Sequence, residues 1–555
     1  MAAVTALKVS LVTAVHAKDA AKAALDDAQA RFDIACVHAE GLTSRLKTYK
    51  ANLKAKQAVL RAQAIRSFPE ELLQRVFTFV AEAHSEDYFQ RAGPESGSSS
   101  PLRNTDRALA PYHLRAVCRQ WARIAYGTPE LWTLFAVPDL VPISRNEALA
   151  RRKRFLLQFH LERVLKYSAG RPLDVVIAYN RYQDTTERVA ARTDEDTCTT
   201  EDFHDSEIYT CVLEVMLQDH IHRIRSISVC APTPIVGGES GHWQGEKHPI
   251  VSGVLDLLRF PTPLLESVSL VTTDMLDHDL CTDHDWFEYP HQPLAVFLPY
   301  APLLQRLSVG RFPLALCATH PGLPALRELW IAQQTMEESL LWSTLAAAPG
   351  LIEAHIDVVG FTSSIAFERL DTHPSLATLS LRGDGTHFLI QTGIQNQFAA
   401  LNCPKLTSLT IDINMIGEPF APEVLNSITH LTFTDADDGG AFLPSFRGCP
   451  NITHITIQSS NELDDKQFFD ELCRKQPDGS PLIWPKLTSV TLNVVALVNS
   501  VEKDGLVRLV NARNSSLSES AVKITTVAID TANTIPGYVE RRLQLLLGKE
   551  NVTSL

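Results

Sequence analysis

From residue 221 onward, a short unit of the form L-x-x-L-x-L recurs, and it restricts the fold more than any other feature. Its copies start at Ile224, Leu265, Leu304, Leu326, Leu351, Leu376, Leu406, Ile428, Ile452, Leu487 and Ile524. Most begin 22 to 30 residues after the previous one, and gaps of 35 to 41 mark insertions. Each copy supplies one short strand with an apolar face that it cannot bury alone, so the copies must stack. A proline commonly stands two residues ahead, as Pro263, Pro302 and Pro324 do. At a strand entry its missing N–H is harmless.

The unit resembles the leucine-rich repeat, although the Asn of the longer consensus is mostly absent. The resemblance implies an irregular solenoid over residues 221–555, with a parallel sheet on its concave side and helices or loops on its convex side. In that frame the concave side carries pairs such as Ser267 and Ser269, Thr378 and Ser380, Ser408 and Thr410, His430 and Thr432, His454 and Thr456, and Ser489 and Thr491. Serine and threonine there reflect strand propensity and solvation. Trp330 is different: an aromatic between two strand core positions, flanked by Arg306 and Glu328 on neighbouring strands, has the composition of a binding hot spot. These three are the candidate substrate contacts.

Residues 1–66 contain no proline and one glycine, and they fit a heptad register. Positions a are Leu11, Lys18, Leu25, Phe32, Ala39, Leu46, Leu53 and Leu60; positions d are Leu7, Ala14, Ala21, Ala28, Ala35, Leu42, Tyr49 and Lys56. The pattern predicts a coiled-coil helix. Its alanine-rich d positions bury little area, so the expectation is weak self-association through the coil, or closure on another part of the chain. The segment carries 11 Lys and Arg against 5 Asp and Glu, a charge of +6, which leaves −19 on the rest of a chain whose total is −13.

Between these parts lies Ser67-Phe68-Pro69-Glu70-Glu71-Leu72-Leu73-Gln74-Arg75-Val76-Phe77. Ser67 and Glu70 form the S-x-x-E pattern of a capping box, and Pro69 suits a first helical turn. A second segment sets Leu114, Val117, Cys118, Trp121 and Ile124 on one helical stripe, and Thr128-Pro129-Glu130-Leu131-Trp132 follows. Residues 85–111, rich in Gly, Ser, Pro and charge, read as a disordered insertion between the two. In this order the pieces resemble an F-box, with the T-P-x-L-W ending found in many fungal F-box-like domains. The resemblance implies that Phe68, Pro69, Leu72, Leu73, Val76, Phe77, Leu114, Val117, Cys118 and Trp121 hold a Skp-type adaptor, and through it a cullin. The chain would then be a substrate adaptor of an SCF-type ubiquitin ligase and would do no chemistry itself.

The expected architecture is α/β: a coiled coil (1–66), an all-α F-box-like domain (67–135), a linker and solenoid cap (136–220), and the solenoid (221–555). The cap includes a helix over residues 147–168 and a strand at 172–177. One alternative is a ligase-independent scaffold in which the F-box-like helices only cover the end of the repeats, which burial of Leu72 and Val76 would favour; another is a metal-dependent or hydrolytic enzyme built on the stretch from His278 to His291.

An acidic total charge argues against nucleic-acid binding, which needs clustered cations. Ten scattered cysteines without a C-x-x-C pair argue against a zinc ribbon or a disulfide framework. No run is apolar enough for a membrane span, so the expected compartment is cytoplasmic or nuclear. The run Arg151-Arg152-Lys153-Arg154 reads as a solvated helix face, with a nuclear-localisation signal as the other reading. One stretch, His278, Cys281, Asp283, His284, Asp285 and His291, has spacing that permits zinc. It falls in a long interval between repeats where polar loops are expected, so neither a metal nor any other cofactor is assigned.

Overall fold

With no proline and a single glycine over its first 66 residues, the chain opens in one helix, α1 (Ala2–Arg66). At 65 residues it is ~98 Å long. Its side chains from Ala3 to Gln57 are all exposed, the apolar heptad positions included. In the computed structural model, the described residues are 2–66, 68–82, 105–137, 147–178, 217–231, 249–272, 297–310, 320–362, 372–382, 401–412, 422–434, 443–477, 481–498, 504–515, 522–529 and 537–554.

The next helix, α2 (Glu70–Glu82), starts after Pro69 and not around it. The Pro69 carbonyl accepts the N–H groups of Leu72 (3.1 Å) and Leu73 (3.2 Å), so the proline caps the helix. Ser67, the expected other half of a capping box, lies outside the described residues. The chain divides within α2 into two compact units, residues 1–77 and 78–555.

Two expectations about the following segment are corrected. Residues 105–111, read as the end of a disordered insertion, form the first turns of α3 (Thr105–Val117), with Pro111 inside the helix. The reason is tertiary: Ala108 packs in a small cluster with Leu134, Ala136 and Val176, apart from the main core. The stripe from Leu114 to Ile124 is also not one helix. The chain breaks at Cys118, whose backbone is extended (φ −162, ψ 170), and restarts as α4 (Arg119–Tyr126). Cys118 caps that helix, its Sγ accepting the Trp121 N–H at 3.5 Å. Ser, Thr, Asp or Asn normally signals such a cap, and here a cysteine does the work.

The rest of the described chain is organised on one open, wholly parallel sheet of 14 strands in sequence order. They are β1 (Leu134–Val137), β2 (Leu173–Ala178), β3 (Ile224–Ala231), β4 (Ser267–Thr272), β5 (Arg306–Gly310), β6 (Glu328–Glu337) and β7 (Glu353–Thr362). There follow β8 (Thr378–Arg382), β9 (Ser408–Asp412), β10 (His430–Thr434), β11 (His454–Asp464), β12 (Ser489–Val498), β13 (Thr526–Ile529) and β14 (Val552–Ser554). Strand β2 is preceded by helix α5 (Glu147–Tyr167). The sheet thus begins well before residue 221: β1 lies at the end of the segment read as F-box-like, and β2, the strand expected at 172–177, joins the same sheet ahead of the repeats. Neither strand carries the full L-x-x-L-x-L unit, which is why the repeat pattern missed them.

Register explains the repeat. The second apolar position of each unit forms one row across the sheet, including Val268, Leu307, Leu329, Ala354, Leu379, Leu409, Leu431 and Ile455. The third forms another, including Leu270, Val309, Ile331, Ile356, Leu381, Ile411, Phe433 and Ile457. All of these are buried in one continuous core, as stacked units that share a single apolar face require.

The prolines have a sharper role than strand entry. The N–H groups of Leu265, Leu304, Leu326, Leu351, Leu406 and Leu487 donate to the carbonyls of Thr262, Ala301, Leu323, Ala348, Cys403 and Trp484, at 3.0 to 3.2 Å. Each set closes a four-residue turn with proline second, where its fixed φ is favoured. The residue before the proline is buried in every one. Cys403 sits in that slot, and burial pushes its thiol up to about 12. A proton held that firmly makes it a packing residue.

Threonine repeats one step beyond the first apolar position, a regularity not singled out in the sequence. The hydroxyls of Thr429, Thr453 and Thr488 donate to the carbonyls of Thr407, Thr429 and Thr453 at 3.2, 3.1 and 3.0 Å. Thr407 and Thr525 extend the ladder at either end, both at 3.3 Å. These side chains stitch neighbouring turns together.

Candidate functional site

Helix α2 carries apolar residues on more than one side, and the structure sorts them. Leu73 and Phe77 are 5% and 1% exposed, whereas Leu72 and Val76 are 43% and 48% exposed. Phe68, Phe79 and Val80 are exposed as well. The assignment of Leu73 and Phe77 as free anchors therefore needs correcting: both are already buried within the chain. Of the expected adaptor contacts on this segment, the exposed apolar side chains are Phe68, Leu72 and Val76, beside Phe79 and Val80. Periodicity could not separate the two sets, because consecutive apolar residues occupy both sides of one helix. Pro69 is exposed beside them and caps the helix.

On α3 and α4, Val117 and Cys118 are exposed, Leu114 and Trp121 are half-buried, and Ile124 is buried. The Thr-Pro-Glu-Leu-Trp stretch turns inward instead. Leu131 and Trp132 are buried, the Thr128 hydroxyl donates to the Ile124 carbonyl (2.8 Å), and the Trp132 indole N–H donates to the Ala125 carbonyl (2.7 Å). Trp132 stands among Tyr112, Tyr126 and Tyr167, with ring centroids 5.4, 5.8 and 5.0 Å away. This cluster joins α3, α4 and α5 immediately ahead of β1. Beside it, Tyr112 Oη lies 2.7 Å from His160 Nδ1. Burial lowers the His160 pKa to about 4 and raises that of Tyr112 to about 12. A neutral imidazole accepting the phenol proton satisfies both groups.

The sheet face away from the core holds the residues expected to meet a target. Trp330 is half-buried on β6, in register with Ser308 on β5 and His355 on β7. Arg306 is in register with Glu328, and Glu328 with Glu353. One detail is corrected: Glu328 lies on Trp330's own strand, and only Arg306 is on a neighbour. His355 and Glu353, with Nε2 4.0 Å from the carboxylate, were legible in the repeat frame but not singled out. Further along the same face, His430 and His454 stack at 4.3 Å. Their Nδ1 atoms lie 2.9 and 2.8 Å from the hydroxyls of Thr429 and Thr453. Desolvation, then the charge of His454, lowers the His430 pKa.

The buried charges are structural. Asp174 accepts two bonds from Arg225 (3.0 and 2.6 Å) and one from Ser226 (2.8 Å), with Arg107 of α3 at 3.7 Å. Together with Ala108, this ties α3 to the first strands. Arg513 donates to the carbonyls of Trp484 (2.9 Å), Leu472 (3.3 Å) and Ile483 (2.6 Å), and burial lowers its pKa to about 10. Among the described residues no three His, Cys, Asp or Glu side chains gather as a metal would need. The His278 to His291 stretch lies outside the described residues. No helix of the described chain is long and apolar enough to cross a membrane. No family model matches the chain, and no curated protein matches it.

Proposed function

We propose that this chain is the substrate-recognition subunit of an SCF-type cullin-RING ubiquitin ligase, with residues 67–135 acting as an F-box-like module and the sheet as a leucine-rich-repeat-like platform. One observation carries this reading. Leu72 and Val76, with Phe68 just ahead of the helix, leave an apolar ridge in water on a helix whose other side is already buried. Such a ridge is an interaction surface, and the order of motifs around it is that of an F-box. Val117, Cys118 and Trp121 are further adaptor contacts on this account. Its role is positional, raising the effective concentration of a target beside the ligase. The target meets the open face around Arg306, Glu328 and Trp330.

Burial of Leu72 and Val76 would favour the scaffold alternative, and their exposure supports the adaptor reading instead. The packing of α3, itself one of the F-box-like helices, against β1 and β2 is what an end cap does, and on this reading docking is left to α2.

The test is capture of a purified Skp-type adaptor by the full-length chain. Leu72→Asp with Val76→Asp sets two carboxylates in a desolvated contact and is expected to weaken capture by roughly a hundredfold or more. Both side chains are solvated in the free chain, so circular dichroism should be unchanged. Equal capture by wild type and variant would refute the assignment.

A further inference from the structure

The helix α1 shows its apolar heptad residues to solvent, among them Leu11, Leu25, Phe32, Leu46 and Leu53, each at least 45% exposed. Its charges are sorted by heptad position. With Leu11 at a, all five acids fall at b or c: Asp19, Asp26, Asp33 and Glu40 at b, and Asp27 at c. None flanks the seam. The flanking e and g positions carry Lys8, Lys22 and Lys50 at e, and Arg31 and Arg45 at g; Lys18 and Lys56 stand within the seam. Arg31 is partly neutralised by Asp27 on its own helix, at 2.7 Å. No such ion pair is present at Lys22, Arg45 or Lys50 among the described residues.

A second copy of this helix is a poor occupant of the seam. Parallel in-register pairing sets each g residue against the next e residue of the other helix, which brings Arg45 to Lys50, and it apposes Lys18 with Lys18 and Lys56 with Lys56. Antiparallel pairing matches e with e and g with g, and again supplies no acid. A bilayer is also a poor fit, because interfacial helices keep cations on the polar face, whereas Lys18 and Lys56 interrupt the apolar one.

We propose that α1 forms a heteromeric coiled coil with an acidic amphipathic helix of another protein, whose Asp and Glu residues flank its own apolar seam and meet Lys22, Arg45 and Lys50. Complementary e and g charges choose partners in coiled coils. The proposal is independent of the adaptor contact on α2 and replaces the self-association expected from periodicity alone.

The experiment uses the full chain and two labelled four-heptad peptides, both with Leu at a and d, one with Glu and the other with Lys at every e and g. Fluorescence anisotropy at low ionic strength should show the Glu peptide binding at least roughly tenfold more tightly than the Lys peptide. Added salt should narrow that difference, because the flanking charges are exposed. The variant Lys22→Glu, Arg45→Glu, Lys50→Glu should reverse the preference while remaining helical by circular dichroism. Equal affinity for the two peptides would overturn the proposal, as would an unchanged preference in the variant. So would a salt-insensitive homodimer in sedimentation that excludes the Glu peptide, or capture by phosphatidylserine vesicles without capture of that peptide.

Discussion

Leu409→Asp should unfold the middle of the repeat array, and Thr410→Asp, one residue on, should leave it standing. Leu409 is fully buried, in register with Leu379 and Leu431 of the adjacent strands, which are buried too. A carboxylate there would sit unpaired in the apolar core, and such a group costs several kcal/mol. Thr410 points to the opposite face, between Ser380 and Thr432 in its row. A charge on that face should change stability by about 0.5 kcal/mol or less. Because each strand alternates faces, a register wrong by one residue would exchange the two outcomes. Thermal melts of the two variants decide it: a large loss for Leu409→Asp alone agrees with the register, and equal losses contradict it.

The second large effect is expected at Trp132. Its indole is buried against three tyrosines and hydrogen-bonded to the Ala125 carbonyl. Trp132→Ala empties the junction of α3, α4 and α5, a truncation that costs about 3–5 kcal/mol. Trp132→Phe keeps most of the ring packing but orphans the carbonyl, so about 1–3 kcal/mol is expected. Urea midpoints should fall in the order wild type, Phe, Ala. A Trp132→Ala protein as stable as wild type would show that the Thr-Pro-Glu-Leu-Trp motif is not the joint described.

The contrast between these residues shows what periodicity can and cannot reveal. In a strand the faces alternate by single residues, so the L-x-x-L-x-L unit alone told Leu409 from Thr410 and located Trp330 on the open face. The helix α2 was harder. Leu72 and Leu73 are adjacent and equally apolar, and which of them is covered depends on packing that no local pattern encodes. Cys118 was read as part of one continuous helical stripe because its neighbours at helical spacing are apolar, yet it ends one helix and caps the next. β1 escaped because Trp132, Phe135 and Val137 stand where the unit has its leucines. β2, expected as a strand, fell outside the repeat because its first position is Pro172, and its Asp174 is satisfied by Arg225 and Ser226, far along the chain. The threonine ladder was present in the sequence, in runs such as Leu406-Thr407-Ser408-Leu409 and Ile452-Thr453-His454-Ile455. Its meaning appears only when one turn is stacked on another.

The adaptor contact on α2 is the centre of the functional account, and amide hydrogen exchange of the full-length chain, alone and with a saturating Skp-type adaptor, tests it most directly. Exchange should slow over residues 68–82, with no change in β5, β6 and β7, where the target is expected. An adaptor that forms no complex, or one that binds and leaves residues 68–82 exchanging as before, would contradict it.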